Sequence, residues 1–441
     1  MRFDQALNAV GAFAVADGLD QLKQHLSADW IEKALAWAGT TTIRRRRLPA
    51  EQVVWLVIGM GLFRNEPIER IVDMLELALP DERDSLVAKS AISQARQRLK
   101  DRPLEYLFAT TAAEWSARSA NAHRWRGLTV YGLDGTTMRV PDSPENREEF
   151  GGQGAGGGRG DSGYPLVRVV AMMALRSHVL SAFRFADYGT GEVTLARQVW
   201  EQLPADSLVI IDRNFLVKPD LFALECTGNR HWLSRTKKNT RWAIVEKLGK
   251  DDYLVELELQ GKGLPSTYPV RAIHYKRKGY PRSTLLTSLT DPEKFPAQEL
   301  VALYHERWEA EIAYDEVKTH LLDRQEAIRS RTPEGVRQEL WGIALAYNLV
   351  RVEMERTAAE AGVPPTRISF TASLALIRDE LGRMGGPRFL PGTIPKRLTS
   401  LRRHLKRLIL PERRTERIYP RAVKLKMSSY PRKRPQRSLP K

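Results

Sequence analysis

At 441 residues, 42% hydrophobic and 28% charged, the chain can bury a large core spread over two or three domains, with the composition of an ordinary soluble globular protein. Its longest apolar runs, Val53 to Phe63 and Leu340 to Val350, fall well short of the roughly 20 residues that cross a bilayer, and the N-terminus lacks the pattern of an export signal, so buried helices and a cytoplasmic location are expected. Cys226 is the only cysteine and the eight histidines are scattered, which excludes a disulfide framework and a Cys-based zinc site and leaves carboxylates as the metal ligands, while a net charge of +17 points to a polyanionic partner.

Residues 1–100 read as helical. Ser27 to Thr40 is a short amphipathic segment, and the charge run Arg44 to Arg47 follows it. Pro49 opens a helix through Phe63, Pro67 another through Ala78, and Lys89 to Lys100 (KSAISQARQRLK) forms a third. Proline fits a first helical turn because its missing N–H would be unpaired there anyway. Three helices ending in Arg96, Arg98 and Lys100 suit either a helix-turn-helix that grips DNA or a packing module.

From Gly127 the character changes. Leu128 to Leu133 is a β-rich run ending at Asp134, and Thr137 to Val140 continues it. The glycine-rich loop Gly151 to Gly163 lacks the GK[ST] ending of a phosphate-cradling loop and reads as a flexible connection. Pro165 to Leu175 and His178 to Tyr188 are two strands joined by a tight turn, and Glu192 to Leu203 has helical spacing. Ser207 to Ile211 (SLVII) is a buried strand that delivers Asp212 at its carboxyl end. Pro219 to Glu225 is helical and Trp232 to Lys237 a basic strand, giving a mixed α/β sheet. YLVELEL, YPVRAIHYKR and STLLTSL then alternate at period two, as a small β insertion would. Helices resume at Pro296, with two more at Pro333 to Ala361 and Ser369 to Met384. From Lys396 to Lys441, 17 Lys or Arg stand against Glu412 and Glu416, so this tail holds +15 of the net charge; a grip on nucleic acid and a solubilising tail are the two readings.

The chemistry rests on Asp134, Asp212 and a helix face. Tyr304 to Lys318 (YHERWEAEIAYDEVK) holds good helix formers and reads as one continuous helix. At 100° per residue, Tyr304, Arg307, Glu311 and Lys318 fall within roughly 60° of one another. Read alone, that face is a solvated surface with an i,i+4 pair; two aspartates delivered by strands turn it inward. Glu306, Glu309 and Glu316 point elsewhere, and Asp315 competes with Glu311 as the third acid. Clustered carboxylates need a cation, and hard oxygen donors select Mg²⁺ or Mn²⁺. Two such ions about 3.5–4 Å apart activate water or a 3′-hydroxyl and stabilise the leaving oxygen of a phosphodiester. Arg307 suits bidentate phosphate contact, Lys318 acts as a point charge, and Tyr304 can donate a hydrogen bond to the same backbone.

The spacing Tyr304-x2-Arg307-x3-Glu311-x6-Lys318 resembles the Y-R-E-K signature of the insertion sequence 4 family of DDE transposases at all four positions. LDGTT around Asp134 and IIDRNF around Asp212 resemble the motifs that hold that family's first and second aspartates, and KSAISQARQRLK the end of its N-terminal domain. The resemblance implies an α/β, ribonuclease H-like mixed sheet core (125–239 and 289–385) interrupted by a β-rich insertion (240–288). Around it come a helical N-terminal DNA-binding domain (1–105) and a helical, basic C-terminal region (386–441). It implies an enzyme that binds the terminal inverted repeats of its element, cuts at the ends and joins 3′-hydroxyls to target DNA, as a homodimer in the DNA complex and associated with the nucleoid. Asp134, Asp212 and Glu311 would hold two Mg²⁺ ions, with Mn²⁺ substituting, and Tyr304, Arg307, Lys318 and Arg213 would contact DNA. In some relatives an aromatic residue of the insertion holds a flipped base, for which Trp242, Tyr275 and Tyr280 are candidates. A nuclease without strand transfer and a DNA-binding repressor derived from a transposase are the rival readings.

Overall fold

The computed structural model describes residues 25–41, 47–78, 87–152, 163–237, 239–277, 280–323, 328–384 and 394–411, and only the backbone of 383–384 and 394–399. Residues 42–46 of the arginine run, 153–162 of the glycine loop and 412–441 of the basic tail lie outside the described residues. Among the described residues five helices come first: α1 (Ala28–Ala38), α2 (Ala50–Leu62), α3 (Ile68–Met74), α4 (Lys89–Leu99) and α5 (Arg102–Ala122). The sheet region holds β1 (Thr129–Arg139), α6 (Pro144–Phe150), β2 (Leu166–Ala174), β3 (Leu180–Asp187), α7 (Glu192–Trp200), β4 (Ser207–Ile211), α8 (Lys218–Glu225) and β5 (Arg230–Arg235). Strands β6 (Ala243–Gly249), β7 (Asp252–Glu258), β8 (Thr267–Tyr275) and β9 (Ser283–Thr287) follow, then α9 (Ala297–His305), α10 (Trp308–Asp315), a π-helical turn (Glu316–Leu321), α11 (Pro333–Ala361), α12 (Phe370–Met384) and α13 (Ile394–Leu405).

The nine strands of the described residues form one sheet in the order β3-β2-β1-β4-β5-β9-β8-β7-β6. Strands β1, β2 and β3 are an antiparallel meander, and β4 and β5 join β1 in parallel. With helices on both faces this is a ribonuclease H-like mixed α/β core. The β-rich insertion extends that sheet, because β9 pairs antiparallel with β5. Its strand β6 escapes the period-two pattern, since it is the edge strand and Ala243 to Lys247 are all exposed.

The two longest apolar runs find each other. Val53 to Phe63 lies almost wholly in α2, Leu340 to Val350 lies in α11, and the helices cross so closely that a Cβ on Gly342 would stand 2.6 Å from the Val57 carbonyl. Only glycine permits that approach, and it makes the N-terminal helices and α11 one core. No helix among the described residues is long and apolar enough to cross a membrane.

Two expectations are corrected. Helix α3 ends at Met74, because Leu75 and Leu77 turn into the core around Glu76, whose φ is 48°. Helix α5, 21 residues long, fills the interval between the helical N-terminal residues and β1, to which no element was assigned. The stretch Tyr304 to Lys318 is not one continuous helix. Helix α9 ends at His305, the amides of Glu306, Arg307, Glu309 and Ala310 reach back three residues instead of four, and after α10 the turn at Glu316–Leu321 is π-helical. Tertiary contacts impose this: Glu306 accepts from Nε and Nη2 of Arg176, each at 2.9 Å, and Glu316 is drawn into the core towards Arg351 and Tyr347.

Candidate active site

Side chains alternate along a strand, so Val130 and Met138 of β1 join the core under α9 to α11 while Tyr131 and Leu133 join the core under α7 and α8. Asp134 and Thr136 share the first face. Strand β4 alternates likewise, with Leu208 and Ile210 on that face, and Asp212 continues its phase. The parallel register Gly132↔Ile210 and Leu133↔Ile211 therefore carries Asp134 and Asp212 to neighbouring positions one step further on. Asp212 follows its strand as expected and caps the short turn Arg213–Phe215, accepting the Arg213 N–H at 2.7 Å. Asp134 lies in the middle of β1, not at a strand end, because Thr129 to Arg139 is one unbroken strand paired to β2. Its carboxylate accepts the Gly135 N–H at 2.8 Å.

Helix α10 covers this face through Ala310 and Ala313 and presents Glu311. Glu311 accepts from Arg307 at 2.6 Å, the i,i+4 pair of the sequence. The Asp134 carboxyl is pushed up to about 6, first by burial, with Glu311 and Asp212 adding to the effect and the Gly135 N–H and Arg307 opposing it. Burial works against the Arg307 charge, but its bond to Glu311, with help from Tyr304 and Asp212, raises the guanidinium's pKa. Asp315, the competing acid, is exposed and occupied with Thr319 at 2.6 Å. Among the described residues no three acidic, histidine or cysteine side chains are drawn into a closed ligand set.

Several contacts around these acids are not visible in the motifs. Lys318 donates to Thr136 Oγ1 at 2.9 Å, tying the last signature residue to the threonine of Asp-Gly-Thr. A Cβ on Gly135 would stand 3.0 Å from the Glu192 carboxyl carbon, so the glycine makes room for a fourth acid. Glu192 is held by Asn214 at 2.9 Å and Arg168 at 3.3 Å. Tyr314 bonds to the backbone of Asp134. Aspartate-flanking glycine and threonine were the one available signal; Glu192 and Tyr314 lie too far along the chain to be linked by spacing.

Beside Arg307 opens a cleft of about 310 Å³ lined by Arg235, Tyr275, Arg277, Tyr280, Tyr304 and Trp308 among others. Tyr304 is buried, which raises its phenol against the pull of Arg307 and Arg235. Trp242 is not in that lining; it packs on the core under α7 and α8. Arg213 is exposed beside Asp212.

Two family models match the chain: "Insertion element 4 transposase N-terminal" over residues 16–109 and "Transposase DDE domain" over residues 125–349. It is 38% identical over 440 residues to "Transposase InsG for insertion sequence element IS4" of Escherichia coli (strain K12), covering 98% of each chain. The chain belongs to the insertion sequence 4 family of DDE transposases. It is also 33% identical over 291 residues to "Putative transposase InsZ" of the same organism, covering 63% of this chain and 91% of that one. A solved structure, "Cryo-EM structure of piggyBac transposase synaptic complex with hairpin DNA (SNHP)", is similar at 12% identity and a TM-score of 0.44, covering 90% of this chain and 86% of that one.

The transposase is thus an enzyme of DNA cleavage and transfer, of a class that implies a divalent metal. Its basic helix α4 divides its cations. Arg98 and Lys100 are exposed, whereas Arg96 donates to Gln338 at 2.8 Å and Ser330 at 3.1 Å and so fastens α4 to the start of α11. Arg96→Ala is expected to cost about 1–3 kcal/mol of stability, as for a hydrogen-bonded charged donor, and to leave the salt dependence of DNA binding unchanged. Arg98→Ala and Lys100→Ala should instead each lower the slope of log affinity against log salt by roughly 1. Denaturant unfolding and DNA titrations at several salt concentrations separate the two kinds of residue.

Proposed function

We propose that this transposase binds the terminal inverted repeats of its insertion sequence, cleaves double-stranded DNA at the element ends and joins the 3′-hydroxyls to target DNA. Asp134, Asp212 and Glu311 would hold two Mg²⁺ ions, with Mn²⁺ able to substitute. What supports this reading most is the register of β1 and β4, which sets two aspartates side by side beneath a helix whose glutamate helps to raise the Asp134 carboxyl. The donor set fits a hard dication: three carboxylates, of which Asp134 is raised partly by its acidic neighbours, gain from a cation among them. When bound, the ions supply activation of water or 3′-hydroxyl and stabilisation of the leaving oxygen. Arg307 balances Glu311 from the flank and, with Lys318, Tyr304 and Arg213, takes the phosphate backbone. Arg98 and Lys100 take DNA from α4.

Functionally, residues 1–105 serve DNA binding, 125–239 with 289–385 catalysis, 240–288 the insertion and 386–441 a further grip on phosphates. The acting unit is a homodimer on DNA, in the cytoplasm and on the nucleoid. The cleft of Tyr275, Tyr280 and Trp308 with Arg277 suits a base turned out of the duplex during hairpin formation, and favours Tyr275 and Tyr280 over Trp242.

The test uses DNA carrying the element's own ends. Mg²⁺-dependent end cleavage, followed by joining of pre-cut ends to a plasmid, is the expected result. Release without joining overturns strand transfer in favour of a nuclease. Salt-dependent binding with no cleavage in Mg²⁺ or Mn²⁺ overturns catalysis in favour of a repressor.

A further inference from the structure

We propose that Tyr314 is a positioning residue that sets the separation of the first and third carboxylates, and through it the affinity of the site for divalent cations; this rests on the metal reading above. The observation is where its hydroxyl lies. Strands β1 and β2 pair antiparallel with Asp134 opposite Ala171, and the Leu175 N–H donates to the Val130 carbonyl at 3.0 Å. Hydrogen-bonded pairs alternate along such a ladder, so the pair four residues on, Asp134 with Ala171, is again a hydrogen-bonded one. Tyr314 reaches into that rung from α10. Its oxygen accepts the Ala171 N–H at 3.0 Å and donates its proton to the Asp134 carbonyl at 2.7 Å.

Tyr314 stands three residues after Glu311, so the two are neighbours on the surface of α10. One rigid side chain therefore joins the backbone of the first acid to the helix turn that carries the third. Glu306 with Arg176 and Glu309 with His178 at 2.9 Å also hold this segment, and Ala310 and Ala313 pack it on the sheet, but of these contacts only the Tyr314 hydroxyl bonds to the backbone of Asp134 itself. The Tyr314 proton is committed to a backbone carbonyl, which leaves none for the reacting DNA. Its part is geometric, like that of the outer partners that orient metal ligands in other proteins.

Tyr314→Phe keeps the ring and removes only the bridging oxygen. In the full chain without DNA, Mn²⁺ binding measured by calorimetry should weaken about tenfold, the lower end of what loss of an outer partner causes. Joining of pre-cut ends should need correspondingly more Mn²⁺ for half-maximal rate, with the rate at saturating Mn²⁺ and the affinity for end DNA close to those of the parent. Tyr268→Phe serves as comparator, since it removes a buried hydroxyl bonded to Trp232 at 2.9 Å in the insertion, and should lower the melting temperature without moving Mn²⁺ affinity. A Tyr314→Phe protein with a lower melting temperature but parental Mn²⁺ affinity would overturn the proposal. Asp134→Asn in the same titration separates the two readings: parental Mn²⁺ uptake there would overturn the metal assignment itself.

Discussion

Glu311→Gln is expected to lower Mg²⁺-dependent end cleavage by more than about 100-fold, beyond the loss usual for an outer partner of a metal ligand. The substitution keeps the size of the side chain and its place on α10, but removes the charge that acts on Asp134 and that Arg307 balances. Asp134→Asn and Asp212→Asn should fall in the same class, because each removes one of the two carboxylates that β1 and β4 carry side by side under α10. Asp315→Asn should cleave at near-parental rate, since that carboxylate is exposed and bonded to Thr319. A gel assay on end DNA, with binding measured in parallel to show that the variants still engage it, makes the comparison. Full cleavage by Glu311→Gln alongside a dead Asp315→Asn would exchange their roles.

The candidate acids stand out in the sequence because each carries a local anomaly. Asp212 ends an apolar run, Asp134 is followed by glycine and threonine, and the four signature residues share a face at helical spacing. Strand periodicity also gave β2, β3 and β4 nearly at their observed bounds, since both sheet faces are covered and the runs are correspondingly apolar. What the sequence hides is decided at a distance. The breaks in Tyr304 to Lys318 come from Arg176 and Arg351, 130 and 35 residues from their partners Glu306 and Glu316, while every local propensity favours continuity. Arg96 looks like its neighbours Arg98 and Lys100 until α11 packs beside it. Tyr314 reads as one more core aromatic, because nothing nearby tells that its hydroxyl meets Asp134.

The largest stability effect should come from the residue that pulls the signature helix out of α-helical form. Glu316 is buried against Arg351, itself 1% exposed, with His178 beside it and Tyr347 donating at 2.8 Å. Burial alone would raise its carboxyl, but the charges of Arg351 and His178 and the hydrogen bonds overcome this and bring it down from 4.5 to about 2. A fall of that size corresponds to about 3 kcal/mol of folding stability at neutral pH. Glu316→Gln should lose at least that much, because it leaves a guanidinium buried without its counter-charge, which typically costs 3–5 kcal/mol. The sign with pH follows from the depressed value. The parent's gain is fully present above the unfolded carboxyl's ordinary range and is lost as pH falls from about 4.5 towards 2. The gap between parent and variant in urea unfolding should therefore be wide at pH 7 and narrow steadily below pH about 4.5. A gap of constant size across that window would mean that Glu316 acts by shape and not by charge. End cleavage by Glu316→Gln should also fall below that of the parent at a temperature where both are folded. The same π-turn carries Lys318 to Thr136, so freeing Glu316 loosens the signature's last cation from the strand that holds Asp134.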